Sequence, residues 1–368
     1  MFNYSKVLNN SGSISVSLVT GSNRKAWDDY VLCHPMGIAF QLYAWKEAVE
    51  GAYGFECPYF IALENNIVRG VLPTARIRRP FSRGTLVSLP YCDAGGPLAD
   101  SKEIEVLLLN QALTYARQQK IRTVEVRALK AIGHIADAET VNKQKVRMRL
   151  PLPEDAPSLL SGFKAKLRSQ VRKPQKDGLS AVIGGVEMVA DFYPVFVENM
   201  RDLGSPVHSK KWFSQVLDAY GKRARCCVVY MPDNQPAAGG VILCHPETVS
   251  IPWASSLRRL NQWNPNMLLY WTLLEYAANQ GYHFFDFGRS TPGEGTYRFK
   301  KQWGARSKPL HWARFNASDR IDEKASLKPV QASGSHGKVR DTAAQLIQRM
   351  PLGMSQWMGS RLRRYISL

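Results

Sequence analysis

The stretch NPNMLLYWTLLEYAANQGYHFFDFGRS, residues 264–290, reads as one helix running into one buried strand. Asn264 stands at a capping position, Pro265 is pre-set for a first helical turn, and Gln280-Gly281 ends the helix before a strand over 282–288. A similar unit, DSKEIEVLLLNQALTYARQQKIRTVEVR, occupies residues 100–127. There Asp100 and Ser101 mark the start, Glu103 falls in the first turn, and a strand follows over 122–127. Working outward, the first unit is preceded by helices at 23–34 and 40–53, then strands at 59–64, 67–77 and 85–90, with an Asn65-Asn66 turn. The second is preceded by helices at 189–204 and 209–220, then strands at 225–231, 236–244 and 247–254. The helices at 40–53 and 209–220 both end at Tyr-Gly, Tyr53-Gly54 and Tyr220-Gly221. Seven elements in one order, twice, predict a tandem duplication of an α+β lobe. The lobes are expected at 1–155 and 156–316, followed by a polar linker at 317–338. A basic amphipathic tail, 339–368, is expected to form two short helices around Pro351.

A chain of 368 residues with 45% hydrophobic residues can bury a core, which excludes a disordered basic tail protein. Its net charge of +19 favours anionic partners: nucleic acid, a membrane surface or phosphorylated substrates. Residues 143–176 carry ten Lys/Arg against two carboxylates, and 289–314 seven against one, so two segments hold fourteen of the nineteen charges. The first twenty residues lack a secretion-signal apolar run and no window suits a membrane span, which predicts a cytoplasmic protein. Six cysteines form no C-x-x-C pair and read as core residues, and seven scattered histidines give no metal-ligand spacing.

The most specific text is FDFGRSTPGEGTYRFKKQWGA, residues 285–305: a buried strand, a Gly-rich loop and an aromatic-basic stretch. Gly288, Gly293 and Gly295 permit close backbone approach to a ligand, while Phe284, Phe287, Tyr297, Phe299 and Trp303 anchor the loop. Lys300, beside Phe299, suits a partly dry site where a fixed cation stabilises an oxyanion or grips a phosphate. Asp286 is expected to orient the site, to pair with Arg289 or to cap a strand end. In LRSQVRKPQKDGL, residues 167–179, Arg168, Arg172 and Lys176 share a helical face. A merely solvated face would look the same, but no carboxylate interrupts Lys164 to Lys176, which suits phosphates. The motifs of serine hydrolases, P-loop nucleotide hydrolases and dinucleotide-binding folds are absent.

The segment 285–305, with LRSQVRKPQKDGL, NMRDLGSPVHS (199–209) and the helix after Asn264, resembles the FemAB-like acyltransferases. The nearer resemblance is to FemAB-related proteins of PEP-CTERM/exosortase exopolysaccharide systems. In the first lobe WDDYV, FQLYAW and VSLPYCDAGGPLAD agree with it too. The resemblance implies two tandem GNAT-like lobes, mixed central sheets flanked by helices, and transfer of an acyl or aminoacyl group to an amine. It maps the family's Phe-Lys pair onto Phe299 and Lys300, with the lysine assisting transfer. It implies that Arg168, Arg172 and Lys173 meet the phosphates of a glycan or lipid-linked precursor, with Arg289, Tyr297, Lys301 and Trp253 as further substrate contacts. No permanently bound cofactor or metal is implied. Acyl-CoA and aminoacyl-tRNA both stand as donor, because SSLRRLNQWNPN (255–266) lacks the Gly-rich diphosphate signature of ordinary GNAT enzymes. Two non-catalytic readings compete: RNA binding through the aromatics and cations at 297–303, and docking of 339–366 on the inner membrane face.

Overall fold

The computed structural model describes residues 13–78, 80, 82–130, 145–321 and 337–367. The first lobe opens with β1 (Ser15–Leu18), α1 (Arg24–Cys33) and α2 (Tyr43–Tyr53). The meander β2 (Phe60–Glu64), β3 (Ile67–Leu72), β4 (Ala75–Ile77) and β5 (Thr85–Val87) follows. After β6 (Leu98–Ala99), the Ser101 hydroxyl caps α3 (Lys102–Gln118), which leads to β7 (Thr123–Ala128). The strand expected at 67–77 is broken before Ala75, where Pro73 has no N–H for a ladder, and its halves enter different sheets.

Four elements then intervene: β8 (Val146–Pro151), α4 (Ala156–Gly162), α5 (Ala165–Lys176) and β9 (Ser180–Gly184). The second lobe repeats the first in order, with α6 (Val189–Asp202), α7 (Lys210–Tyr220), β10 (Ala224–Tyr230), β11 (Pro236–His245) and β12 (Thr248–Ser256). Its closing unit is α8 (Pro265–Asn279) and β13 (Phe284–Ser290). Asn264 adopts a left-handed conformation at the start of α8 and makes no side-chain cap; its carbonyl accepts from Met267 instead (3.0 Å). The chain ends in α9 (Gly295–Gln302), β14 (Arg306–Pro309), β15 (His311–Asn316), α10 (Gly337–Arg349) and α11 (Leu352–Leu362). The expected linker lies mostly outside the described residues.

The lobes exchange strands. The second sheet runs β14-β8-β13-β12-β11-β10-β9, so β8 lies before the expected boundary at 155 yet pairs with β13. Conversely β15 lies within 156–316 but pairs with β7, in the first lobe's sheet β15-β7-β5-β4. The remaining first-lobe sheet is β1-β2-β3-β6. The boundary read from the sequence is therefore corrected. A buried strand needs both edges hydrogen-bonded, and here each lobe's last strand takes its outer neighbour from the chain leaving the other lobe.

The equivalent helices α2 and α7 pack on each other at the junction. Trp45 and Trp212, both fully buried, meet edge to face (5.3 Å), and Trp45 lies parallel to Trp253 (6.1 Å). Trp45→Ala is expected to destabilise the protein by about 3–5 kcal/mol. Urea unfolding followed by circular dichroism and by fluorescence checks this. One shared transition is expected, because neither sheet closes without the other lobe.

Candidate functional site

β12 and β13 run parallel for three residue pairs only, from Thr248↔Phe284 to Ser250↔Asp286. Beyond that β12 continues along β11 while β13 bends away along β8, with an irregularity between Asp286 and Arg289. The gap between them is a cavity of about 180 Å³, lined by Ser250–Pro252 of β12 and Asp286–Arg289 of β13. Arg147 of β8 and Lys300 of α9 also reach it, and the first lobe contributes Ile38, Phe40 and the loop Tyr91–Ala94.

Two carboxylates organise the cations. Asp286, almost fully buried, accepts from Arg147 Nε through Oδ2 (2.7 Å) and from the Gly288 N–H through Oδ1 (3.0 Å). Gly288 has φ +71°, a conformation that favours glycine. Asp93 accepts from the Arg289 N–H (3.1 Å) and lies 3.3 Å from Arg289 Nε. The Arg289 guanidinium also lies over the Trp312 ring (5.3 Å), whose Nε1 donates to the Asp93 carbonyl (2.9 Å).

Lys300 differs from both arginines. Its Nζ donates to the neutral Arg289 carbonyl (2.7 Å), so no carboxylate pairs with it directly among the described residues. It is 8% exposed. Burial pulls its pKa down to about 8, opposed by the charges of Asp93 and Asp286 and helped by Arg289. Three cations and two carboxylates leave about one positive charge facing a small, partly enclosed space.

The structure thus brings Lys300 and Arg289 together, but Asp286 pairs with Arg147 rather than with Arg289. Phe299 does not line the cavity; its ring packs on Tyr270 (4.9 Å) and Trp303 (6.2 Å) and anchors α9. Tyr297 and Lys301 face each other (5.7 Å) away from the cavity lining. The Gly-rich text after Gly293 is helical in α9, not loop. Of the aromatics in 297–303, Trp303 is buried and Phe299 packs on Tyr270 and Trp303, which leaves Tyr297 as the ring least covered. Trp253 is buried against Trp45, Trp212 and Phe213, a core position.

Arg168, Arg172 and Lys173 lie on α5 and line a separate open groove with Lys176. Arg168 donates to the Ser161 (3.1 Å) and Phe163 (2.7 Å) carbonyls, and Lys173 pairs with Asp177. Sequence reasoning missed Asp93 and Arg147. The signals were Asp93, set between Cys92 and the Ala94-Gly95-Gly96 run of YCDAGGPLAD, and the alternation in VRMRL, which reads as a strand presenting arginine on one face.

Residues 161–301 match the family model described as an acetyltransferase (GNAT) domain. The match spans β12, β13 and Lys300 in less than half of the chain, and this acetyltransferase domain makes the protein an acyltransferase. In the solved structures, FemX matches with TM-score 0.67 and 16% identity over 91% of this chain and all of that one. A tandem GNAT protein of clavulanic acid biosynthesis matches at 0.53 with 13% identity, covering 83% of this chain and 99% of that one. The C-terminal domain of a putative lysylphosphatidylglycerol synthetase from Agrobacterium fabrum matches at 0.51 with 13% identity, covering 79% and 91%. These likenesses establish the tandem GNAT fold, with mixed sheets flanked by helices. No curated protein matches the sequence.

Asp286→Asn leaves the buried Arg147 without its carboxylate and is expected to cost about 3–5 kcal/mol. It also removes a charge that raises the Lys300 pKa, so that pKa falls below about 8. The pH dependence of Lys300 acetylation by acetic anhydride, read by mass spectrometry, should shift to lower pH.

Proposed function

We propose that the protein transfers an acyl or aminoacyl group from an activated donor, acyl-CoA or aminoacyl-tRNA, to a primary amine. The acceptor is a phosphate-bearing glycan or lipid-linked precursor of the cell envelope, including the exopolysaccharide of a PEP-CTERM/exosortase system. The observation that carries this reading is Lys300: a buried ammonium whose hydrogen bond among the described residues goes to a carbonyl, at the mouth of parted strands inside a matched acetyltransferase domain.

In the reaction the amine nitrogen attacks the donor carbonyl carbon, a C–N bond forms and the C=O electron pair moves onto oxygen. Lys300 stabilises that oxyanion by charge and hydrogen bonding. The intermediate collapses by breaking the C–S or C–O bond to the carrier, and the leaving group takes up the proton the nitrogen loses. Arg147, Asp286, Asp93 and Arg289 hold the walls in register, so orientation supplies much of the rate.

Two observations bear on the donor. The acetyltransferase match supports a thioester, whereas the turn before α8 has no glycine and Pro265 lacks an N–H, which leaves few backbone donors for a diphosphate. The name of the lysylphosphatidylglycerol synthetase neighbour joins an amino acid to a phospholipid and supports the lipid-linked acceptor. Arg172 and Lys176, in the α5 groove, are proposed to meet acceptor phosphates.

Cell extracts supplied in turn with labelled acyl-CoA and aminoacyl-tRNA test the transfer. With the active pair, Lys300→Met is expected to lower kcat by about 100- to 1000-fold with little change in KM. Because Lys300 must be protonated, the wild-type rate falls as pH rises through about 8, and the variant lacks that limb. A wild-type rate that climbs through the same limb, with Lys300→Met abolishing the climb, would assign Lys300 as a base instead.

A further inference from the structure

The C-terminal tail docks through Ile347 of α10 and through Leu352, Ser355 and Gly359 of α11, and leaves larger apolar side chains outward. The side of α11 that packs against the body carries Ser355 and Gly359, and a Cβ at Gly359 would lie 2.8 Å from the Val207 N–H nitrogen. Its outer side carries Met354, Trp357 and Leu362, exposed by 52%, 61% and 41%, and α10 adds Leu346 at 58%. These four apolar side chains face away from the body, whereas a surface helix usually turns its apolar stripe to the core. Cations accompany the apolar side chains. Arg361 lies over the Trp357 ring (4.0 Å), Arg349 and Arg364 are exposed, and residues 342–367 contain no carboxylate. The Asp202 carboxylate, whose backbone carbonyl accepts from Gln348 of α10, is taken by Arg201 (2.8 Å). Arg363, expected in the same basic surface, instead turns inward: its Nε donates to His208 (3.0 Å) and its guanidinium lies over Tyr91 (5.1 Å).

We infer that the outer face of α10 and α11 docks on a bilayer surface carrying anionic phospholipid. Tryptophan and methionine enter the boundary between headgroups and chains, and the arginines meet lipid phosphates. Charge decides against a second copy of this chain as the occupant, since that would set arginine against arginine. The tail ties this face to the cavity: the Ser367 carbonyl accepts from the Tyr91 N–H (2.7 Å) and from Arg127 (3.1 Å), and Tyr91 lines the cavity. Docking through this tail is proposed to bring a lipid-linked acceptor to the Tyr91 side of the cavity. This deepens the proposed acceptor, but binding to vesicles is measured without any turnover and stands or falls separately from it.

The test is flotation of the full chain with vesicles of phosphatidylcholine, with and without phosphatidylglycerol. Flotation with the anionic vesicles, weakened by salt, is expected. The triple variant Met354→Ser, Trp357→Ser, Leu362→Ser and the double variant Arg349→Gln, Arg361→Gln should each lower the bound fraction by about tenfold. All changed side chains are exposed, and an unaltered melting temperature confirms folding. Failure of the full chain to float, equal flotation of both variants, or a dimer in sedimentation that the triple variant dissolves would each overturn the inference.

Discussion

Neither lobe completes its own sheet, and that constraint shapes everything around the cavity. β13 is bonded on its outer edge by β8, and β7 by β15, so the strand that follows each lobe serves the other. The exchanged strands also carry the groups that hold the carboxylates. Arg147 comes from β8 to Asp286, Arg314 from β15 to Glu125 (3.1 Å), and Trp312 from β15 to the Asp93 carbonyl. The cavity is therefore a product of both halves, assembled only when long-range pairing is complete.

Within it, charge is arranged so that one cation stays available. Arg147 and Arg289 are each matched to a carboxylate at hydrogen-bond or ion-pair distance, which compensates for taking them partly out of water. Lys300 receives only the more distant influence of the same two carboxylates, set against its own burial. The result is an ammonium group that is mostly protonated at neutral pH yet is not neutralised by contact, as an oxyanion-stabilising group requires.

The sequence showed the parts of this arrangement that depend on local chemistry. The Asn65-Asn66 turn, the stop at Tyr53-Gly54, the cap at Ser101 and the Pro265 start are written in residues whose backbone preferences act within one turn. Lys300 was legible because a lysine among anchoring aromatics needs a reason. The strand exchange was not legible, since β8 and β15 are short, mixed-polarity segments whose partners lie more than a hundred residues away. Asp93 was hidden for the same reason: its significance arises only from Arg289 and Trp312, which reach it through tertiary folding. Trp253 pointed the opposite way, because an aromatic ring reads equally as ligand contact or as anchor, and here it packs in the core, while Phe299 packs as the anchor its neighbours suggested.

The duplication also explains why one lobe keeps an open cavity. In the first lobe β5 and β7 are parallel for the same three pairs, ending at Val87↔Glu125, as the second lobe ends at Ser250↔Asp286. Aligned on that last pair, both lobes hold a carboxylate bonded to an arginine, Glu125 to Arg127 and Arg314, and Asp286 to Arg147. Two residues further along, the lobes part. The first has Arg127, fully buried, which fills the gap and bonds the Leu89 and Cys92 carbonyls, while Gly95 and Gly96 close over its own carbonyl. A Cβ at Gly96 would sit 3.0 Å from the Ala128 Cα, so the loop closes that tightly only with glycine there. The second lobe has Gly288 at the matching position, with no side chain to fill the space, and Lys300 reaches the cavity from α9. One lobe has become the support that fixes the loop bearing Asp93, and the other retains the room for a reacting group.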